Sequence, residues 1–440
     1  MEKFFKIRER GSSMGTEVLG GLTTFLAMAY IIAVNPTFLQ AAGMDFTAAL
    51  TATCFGAAIM TIIMGLVSNR PIALASGMGV NAIVAFTLCG ATGLNVDWRV
   101  AMAVVFVEGL VILVLVLCGL RKAIMDAIPK DLRFAIGIGI GLFIAFIGLK
   151  GGGIIVTNPD NILGAGDFTT PQCALALFSI VVAVLLTTRK VKGALLLSIV
   201  ITTIVGIPAG VTPMPGNLDF GLDFSAFAAP FQTDPATGTI ALVQVFLQPA
   251  LLLFVFSLLM SDFFDTMGTV VAVGERGGFT DKNGNVDNIQ SILTVDSIAA
   301  AMGGFLGASS VTTFVESSAG ASAGARTGLS NLVVGALFIV CAFFAPLVGM
   351  VSGAATCGAL VVVGYLMMTS IGGIEWSHIE SAFPAFLTIV GIPFTYSITD
   401  GIGLGFISYC LVMTAQGRAR EVHPLMWGAS AAFLFMFIFQ

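Results

Sequence analysis

Charge is what this chain has least of. Only 10% of its 440 residues are Asp, Glu, Lys or Arg, whereas an average soluble domain is about a quarter charged. Together with a mean hydropathy of +1.01, that shortage excludes a water-soluble globule of this length. Histidine is nearly missing: His378 and His423 are the two present, too few for a haem or a multi-histidine metal centre. Basic excess is missing too. The formal net charge is −5, so the chain offers no positive surface to nucleic acid. The seven cysteines (Cys54, Cys89, Cys118, Cys173, Cys341, Cys357 and Cys410) lie in or beside apolar segments with no CxxC spacing. They read as small buried residues, not as a disulfide frame or a zinc site. No GxxxxGK[ST] sequence occurs, which weighs against a nucleotide-driven pump. The opening MEKFFKIRER carries no short apolar core with a cleavage site, so no cleaved signal peptide is expected.

Apolar sequence and glycine are what the chain has in plenty. Hydrophobic residues make up 57% of it, and they fall in blocks of about 17 to 25, the length that crosses a bilayer as a helix. Dividing the chain at its polar breaks gives spans near 17–35, 46–67, 74–90, 99–119, 132–149, 172–187 and 193–208. The second half gives 242–274, 290–308, 309–325, 328–348, 354–371, 379–397 and 400–415. The fold class is therefore an all-α polytopic membrane protein of about 14 spans. The tail 425–439 is apolar but short and reads as an interfacial or partial helix.

The basic residues test this division. With the N-terminus in the cytoplasm, every Lys and Arg except Arg99 and Lys150 falls on the cytoplasmic side, from Arg70 through Arg121, Lys122 and Lys282 to Arg418 and Arg420. That asymmetry places a multi-pass protein in the cell membrane with both termini cytoplasmic. The long outer loop 209–240 holds Asp219, Asp223 and Asp234 and no Lys or Arg.

The third and tenth spans are abnormal. LASGMGVNAIVAFTLCG (74–90) and ASSVTTFVESSAGASAGAR (308–326) are rich in Gly, Ser, Ala and Thr, with Asn81 and Glu316 in their middles. Each lies third in a group of seven. Seven is odd, so the second group crosses the membrane inverted. The units are 1–210, 241–416 and a tail 417–440. Matching interrupted segments in inverted halves point to a midplane transport site. Tight packing through small residues is the plainer alternative.

A carboxylate at membrane depth costs several kcal/mol unless paired or hydrated. In LLMSDFFDTMGT, Asp262 and Asp265 sit three apart on one helix face, with Thr266 and Thr269 adding hydroxyls nearby. A solvated helix end is the alternative, and it suits Asp265 better than Asp262. Glu316 has no basic neighbour before Arg326. Carboxylates sharing a buried cavity do not all ionise easily, so Asp262, Asp265 or Glu316 could carry a proton as the coupling ion. Carboxylates also accept the N–H edges of a heterocycle, while the Asn81 amide donates and accepts. Phe25 and Phe314 could stack on a flat ring, although packing is the default for any one Phe among 36. Asp296, with Thr266, reads as structural, pairing backbone freed by the broken helices. Glu108 and Asp400 receive no role, and Arg326 reads as an anchor at the cytoplasmic face. The GxGxG runs at Gly137–Gly141 and Gly401–Gly405 lie within apolar helices and are packing glycines.

At these residues the chain resembles the AzgA-type purine permeases, the hypoxanthine/guanine/adenine branch of the nucleobase–cation symporter-2 (xanthine/uracil permease) group. The matching stretches are TEVLGGLTTFLAMAYIIAVNP (16–36), NRPIALASGMGVNA (69–82), SDFFDTMGTVVAVGERGG (261–278), VDSIAAAMGGFLGASSVTTFVESSAG (295–320), GARTGL (324–329) and PAFLTIVGIPFTYSI (384–398). They cover essentially the whole chain in order. The resemblance implies two inverted seven-span repeats divided into core and gate domains, with short strand-plus-half-helix segments in spans three and ten. It implies that Asp262, Glu316 and Asn81 bind the base, and that Asp265 is the second aspartate of the FDT motif. One departure stands out: the family pattern N-A-F-F-A is here Asn81, Ala82, Ile83, Val84, Ala85, which bears on substrate range.

The reading is proton-coupled secondary uptake of a purine base, with no enzyme activity, cofactor or metal. H+ is the expected coupling ion and Na+ the alternative. The partners are the base and the lipid bilayer, with a homodimer left open. A carrier of uracil, xanthine or an anion on the same fold is the runner-up, although acidic site residues oppose an anion. An embedded enzyme or receptor would need a nucleophile–base or metal set, and His378 has no such neighbours in sequence. The charge asymmetry yields a direct test. In a cysteine-free background, Asp223→Cys should label with an impermeant reagent from outside intact cells and Lys282→Cys should not. Labelling of both from outside would overturn the orientation.

Overall fold

The computed structural model describes residues 2–90, 93–119, 128–158, 162–214, 220–280 and 286–439. Arg121, Lys122, Asp219 and Lys282, which enter the charge pattern, lie outside the described residues. The first span is two helices, α1 (Met14–Met28) and α2 (Ile31–Ala41), separated by Ala29 and Tyr30. Then come α3 (Phe46–Ser68), the strand β1 (Leu74–Ser76), and α4 (Met78–Ala82), which runs into a π-helical turn over Ile83–Leu88. The first half ends with α5 (Trp98–Leu117), α6 (Lys130–Gly151), the hairpin β2 (Ile155–Asn158) and β3 (Ile162–Ala165), α7 (Pro171–Thr188) and α8 (Ala194–Gly206). Helix starts follow short polar side chains that take orphan N–H groups. Asp45 accepts from Thr47 and Ala48 at 2.8 and 3.1 Å, and Asp97 from Arg99 at 2.9 Å.

The second half repeats the order. It comprises α9 (Ala241–Leu247), α10 (Pro249–Gly277), α11 (Ile289–Leu306), β4 (Val311–Thr313) and α12 (Ser317–Ser322). Next are α13 (Leu329–Ala342), α14 (Gly353–Met368), α15 (Ile379–Thr395), α16 (Ile398–Ala415) and the tail helix α17 (Pro424–Phe439). Among the described residues nine helical stretches, with α1 and α2 taken together as one, are long and apolar enough to cross a membrane. The shorter apolar helices and the β4–α12 segment supply the remaining expected spans.

Besides the split first span, two details differ from the sequence expectation, while the tail is the partial helix expected. Span 242–274 is two helices, because Gln248 precedes Pro249 and is held extended (φ −112°, ψ 104°), the conformation that a following proline imposes. The hairpin β2–β3 fills a stretch that gave no strand signal. The tail is a packed helix of 16 residues: Phe433 is 1% exposed and meets Phe406 edge-on at 5.8 Å. At about 1.5 Å per residue it falls short of the ~30 Å hydrocarbon core.

The helices form two groups. In one, α5 packs on α11 and α3 on α13, pairings that exchange when the halves are swapped; α1, α10 and α12 join them. In the other, α6 packs on α14, α7 on α14 and α15 on α6, again in matching pairs, with α8 and α16 alongside. Glycine sets the close approaches: a Cβ on Gly109 would collide with the Ala301 backbone, and one on Gly65 with Gly328. Outward faces remain apolar. Phe394 is 78% exposed, and Val181, Leu185 and Ile204 are exposed too, as lipid-facing side chains are.

Aromatic rings fill one end of the seam between the groups. Tyr396 ends α15 in a left-handed conformation (φ 57°). Its ring meets Phe86 of the π-helical turn at 5.7 Å, and Phe143 and Phe146 of α6 at 5.1 and 5.9 Å. The Lys150 ammonium sits 4.6 Å from the same ring.

Candidate functional site

The site is built on a pair of three-residue strands. β1 and β4 run antiparallel with Leu74 opposite Thr313, Ala75 opposite Thr312 and Ser76 opposite Val311, all of them buried. Small and β-branched residues let this backbone sit inside a helical bundle. Every N–H and C=O there needs a protein partner, because no water competes in the bilayer core. The ladder continues past the strands: Gly77 N–H donates to Ser310 O, and Phe314 N–H to Ala73 O, each at 2.9 Å.

Polar side chains from neighbouring helices fasten the pair. Asn35 is fully buried, and its amide nitrogen donates to Thr53 Oγ1 at 2.8 Å and Ser76 Oγ at 3.0 Å. Thr61 Oγ1 donates to Leu74 O at 2.9 Å and accepts from Leu74 N–H at 2.8 Å. Asp296, fully buried on α11, accepts from Thr266 Oγ1 at 2.8 Å, Thr312 Oγ1 at 3.0 Å and Thr313 N–H at 3.1 Å. One carboxylate thus ties β4 to α10 and α11.

The other acidic groups gather beside this frame. Glu316, half-buried, follows β4 and immediately precedes α12, and its Oε1 accepts a hydrogen bond of 2.7 Å from the Tyr30 hydroxyl. Tyr30 itself is 2% exposed, in the break between α1 and α2. Asp265 lies close enough to interact electrostatically with Glu316, Asp296 and Tyr30. Asp262, one turn earlier on α10, is 1% exposed, whereas Asp265 is solvent-accessible. Asn81 on α4 is fully buried, and neither its amide oxygen nor its nitrogen bonds to a partner among the described residues. Buried amides seldom stay unbonded without a reason, and a ligand is one. α4 also lies against α10: a Cβ on Gly79 would stand 3.2 Å from Ser261 Oγ, next to Asp262.

The remaining sequence candidates lie as follows. Thr266 and Thr269 are buried on α10, Thr266 bonded to Asp296. Phe314 is 6% exposed beside Glu316, while Phe25 packs edge-on against Phe338 of α13 at 5.3 Å. The Arg326 guanidinium donates to Ala321 O and Ala325 O at the end of α12, and Glu17 accepts its backbone N–H at 2.8 Å. Tyr30 and Asn35 were missed by sequence reasoning. Both lie in AYIIAVNP (29–36), where a phenol and an amide inside an apolar run were the available signal.

Two packed helix groups, crossed strand–helix segments and acidic groups beside the crossing define a membrane transporter. Solved structures share the architecture. The transmembrane domain of a cyanobacterium bicarbonate transporter, BicA, superposes with a TM-score of 0.65 at 18% identity, covering 88% of this chain and 97% of that one. The murine solute carrier 26 family member A9 anion transporter gives 0.63 at 12% identity, covering 92% and 69%. At such identities the likeness speaks for the fold alone. Residues 15–438 match the Permease family (Xan_ur_permease), and the chain belongs to it: a permease, not an enzyme. Among its relatives, adenine permease AdeP of Escherichia coli is 40% identical over 439 residues, covering 100% of this chain and 96% of that protein. Guanine/hypoxanthine permease PbuG of Bacillus subtilis is 39% identical over 450 residues, covering both chains fully.

The Asp296 frame gives a prediction about stability. Asp296→Ala strands the buried Thr313 N–H, at a cost of about 1–3 kcal/mol. The variant should unfold at a lower temperature in detergent and reach lower membrane levels. Asp296→Asn, which keeps an acceptor, should lose less, and equal stability of Asp296→Ala and wild type would refute the structural role.

Proposed function

We propose that this permease imports purine nucleobases (adenine, guanine and hypoxanthine) by proton symport. One observation supports the reading above others: carboxylates and an amide without a protein partner, Asn81, converge beside the β1–β4 crossing. A purine offers ring and exocyclic N–H donors to carboxylates and acceptor nitrogens to an amide. Glu316 and Asp262 take the N–H groups, Asn81 takes an acceptor edge, and Phe314 supplies an apolar surface beside Glu316. The named relatives are an adenine permease and a guanine/hypoxanthine permease. An anion substrate, which the solved neighbours carry by name, would meet carboxylates where it needs donors. Ile83 and Val84, buried where the π-helical turn begins, replace the aromatic pair of the family pattern, and substrate range is tuned there.

Energy comes from the proton gradient. Asp265, Asp262 and Glu316 are the candidate carriers, since acids this close to one another favour sharing a proton. Both termini lie in the cytoplasm of a cell-membrane protein, as the charge pattern supports.

Two outcomes are expected. In cells lacking purine transport, wild-type protein should take up radiolabelled purines in preference to uracil. Glu316→Gln and Asp262→Asn should lose about 10- to 150-fold in affinity, the worth of a charged hydrogen bond, and Asn81→Ala less. Wild-type binding by both amide variants would overturn the site. Separately, uptake should rise as external pH falls from about 8 toward 6 and collapse with a protonophore. Uptake that ignores the protonophore and follows Na+ would overturn proton coupling.

A further inference from the structure

We propose that Tyr30 is a positioning residue for Glu316: its hydroxyl pins one carboxylate oxygen so that the other is presented to the purine. The inference rests on the reading that Glu316 binds the base, and goes beyond it by assigning the group that orients it. Beside Glu316's own backbone N–H, Tyr30 is the group that hydrogen-bonds its carboxylate among the described residues. Glu316 follows the last β4 residue by three positions, immediately precedes α12, and is only half-buried. A glutamate side chain has three rotatable torsions, and ordering it on binding costs free energy that a prior contact removes. Across from it, on α10, stands Asp265, whose charge acts on both Glu316 and Tyr30.

Tyr30 is suited to hold it. The ring is 2% exposed, so its orientation is set by packing, and a phenol has only two side-chain torsions to restrain. The backbone is helical on both sides: Ala29 N–H donates to Phe25 O at 2.8 Å, and Val34 N–H to Tyr30 O at 3.1 Å. The hydroxyl reaches Glu316 Oε1 at 2.7 Å across 286 residues of sequence. It therefore links the first span of one half to the half-helix segment of the other. Asp296, the nearby acid on α11, already accepts from Thr266, Thr312 and Thr313 and is not a competing partner for the phenol.

The experiment is a double-mutant cycle on purified, detergent-solubilised full-length protein, with hypoxanthine as the probe and a thermal unfolding curve for each variant. Tyr30→Phe removes one oxygen and keeps the ring. Expected is a rise of about tenfold in hypoxanthine Kd and uptake KM, with Vmax per folded transporter within about twofold of wild type. In the Glu316→Gln background, the same change should shift Kd by less than about threefold, because the group through which Tyr30 acts is already altered. Unchanged Kd in Tyr30→Phe overturns the proposal, as does an equal loss in both backgrounds. Failure of Tyr30→Phe to fold also overturns it, since the contact would then be structural. Wild-type affinity in Glu316→Gln alone overturns the base-binding reading, and that result comes from a different variant.

Discussion

Everything at the centre of this protein depends on one constraint: backbone that leaves the helix inside a membrane must find its partners within the chain. The β1–β4 pair meets it with three antiparallel residue pairs and two flanking backbone hydrogen bonds. Because each strand comes from a different half, the pair also joins the halves at their interrupted spans. The bend that each strand makes into its short helix then brings Asn81 and Glu316 to the same region as α10. The acids on α10 become neighbours of that region because the strand pair exists. A continuous third or tenth helix would satisfy its own backbone and bring nothing to the centre.

Around this frame the polar groups separate into two sets. Asn35, Thr61 and Asp296 tie the strands and the loops leading to them to the surrounding helices. Asn81 does not, and Glu316 spends one oxygen on a side chain that is itself held by packing. Buried polar groups are costly when half satisfied, so the first set stabilises the architecture that tolerates the second. The same chemistry, a carboxylate near threonine hydroxyls, serves structure at Asp296 and is left with capacity to spare at Glu316.

Much of this was legible in the residues. The span count and the abnormal third and tenth segments follow from hydropathy and glycine content, because lipid imposes length and helicity on everything else. Asp262, Asp265 and Glu316 stand out because a charge at that depth is rare. Asp296 was recognisable as polar, but its three donors come from α10 and β4 and no sequence spacing relates them. Tyr30 escaped notice for a related reason. A tyrosine in an apolar run looks like packing, and its partner is 286 positions away. The β2–β3 hairpin left no signal because IVTN and ILGA have neither the length nor the alternation of a recognisable strand pair.

The aromatic cluster around Tyr396 has a thermal consequence. Phe86 belongs to the helix group that carries the strands, while Tyr396, Phe143 and Phe146 belong to the other. Any rearrangement that parts the groups at this end must hydrate the Phe86 and Tyr396 ring edges that meet across the seam, while the Lys150 ammonium stays on the phenol face. Newly wetted apolar surface raises heat capacity, so the open and closed arrangements would differ in that quantity. Their balance would then curve with temperature, with cooling weakening the apolar attraction that keeps the rings together.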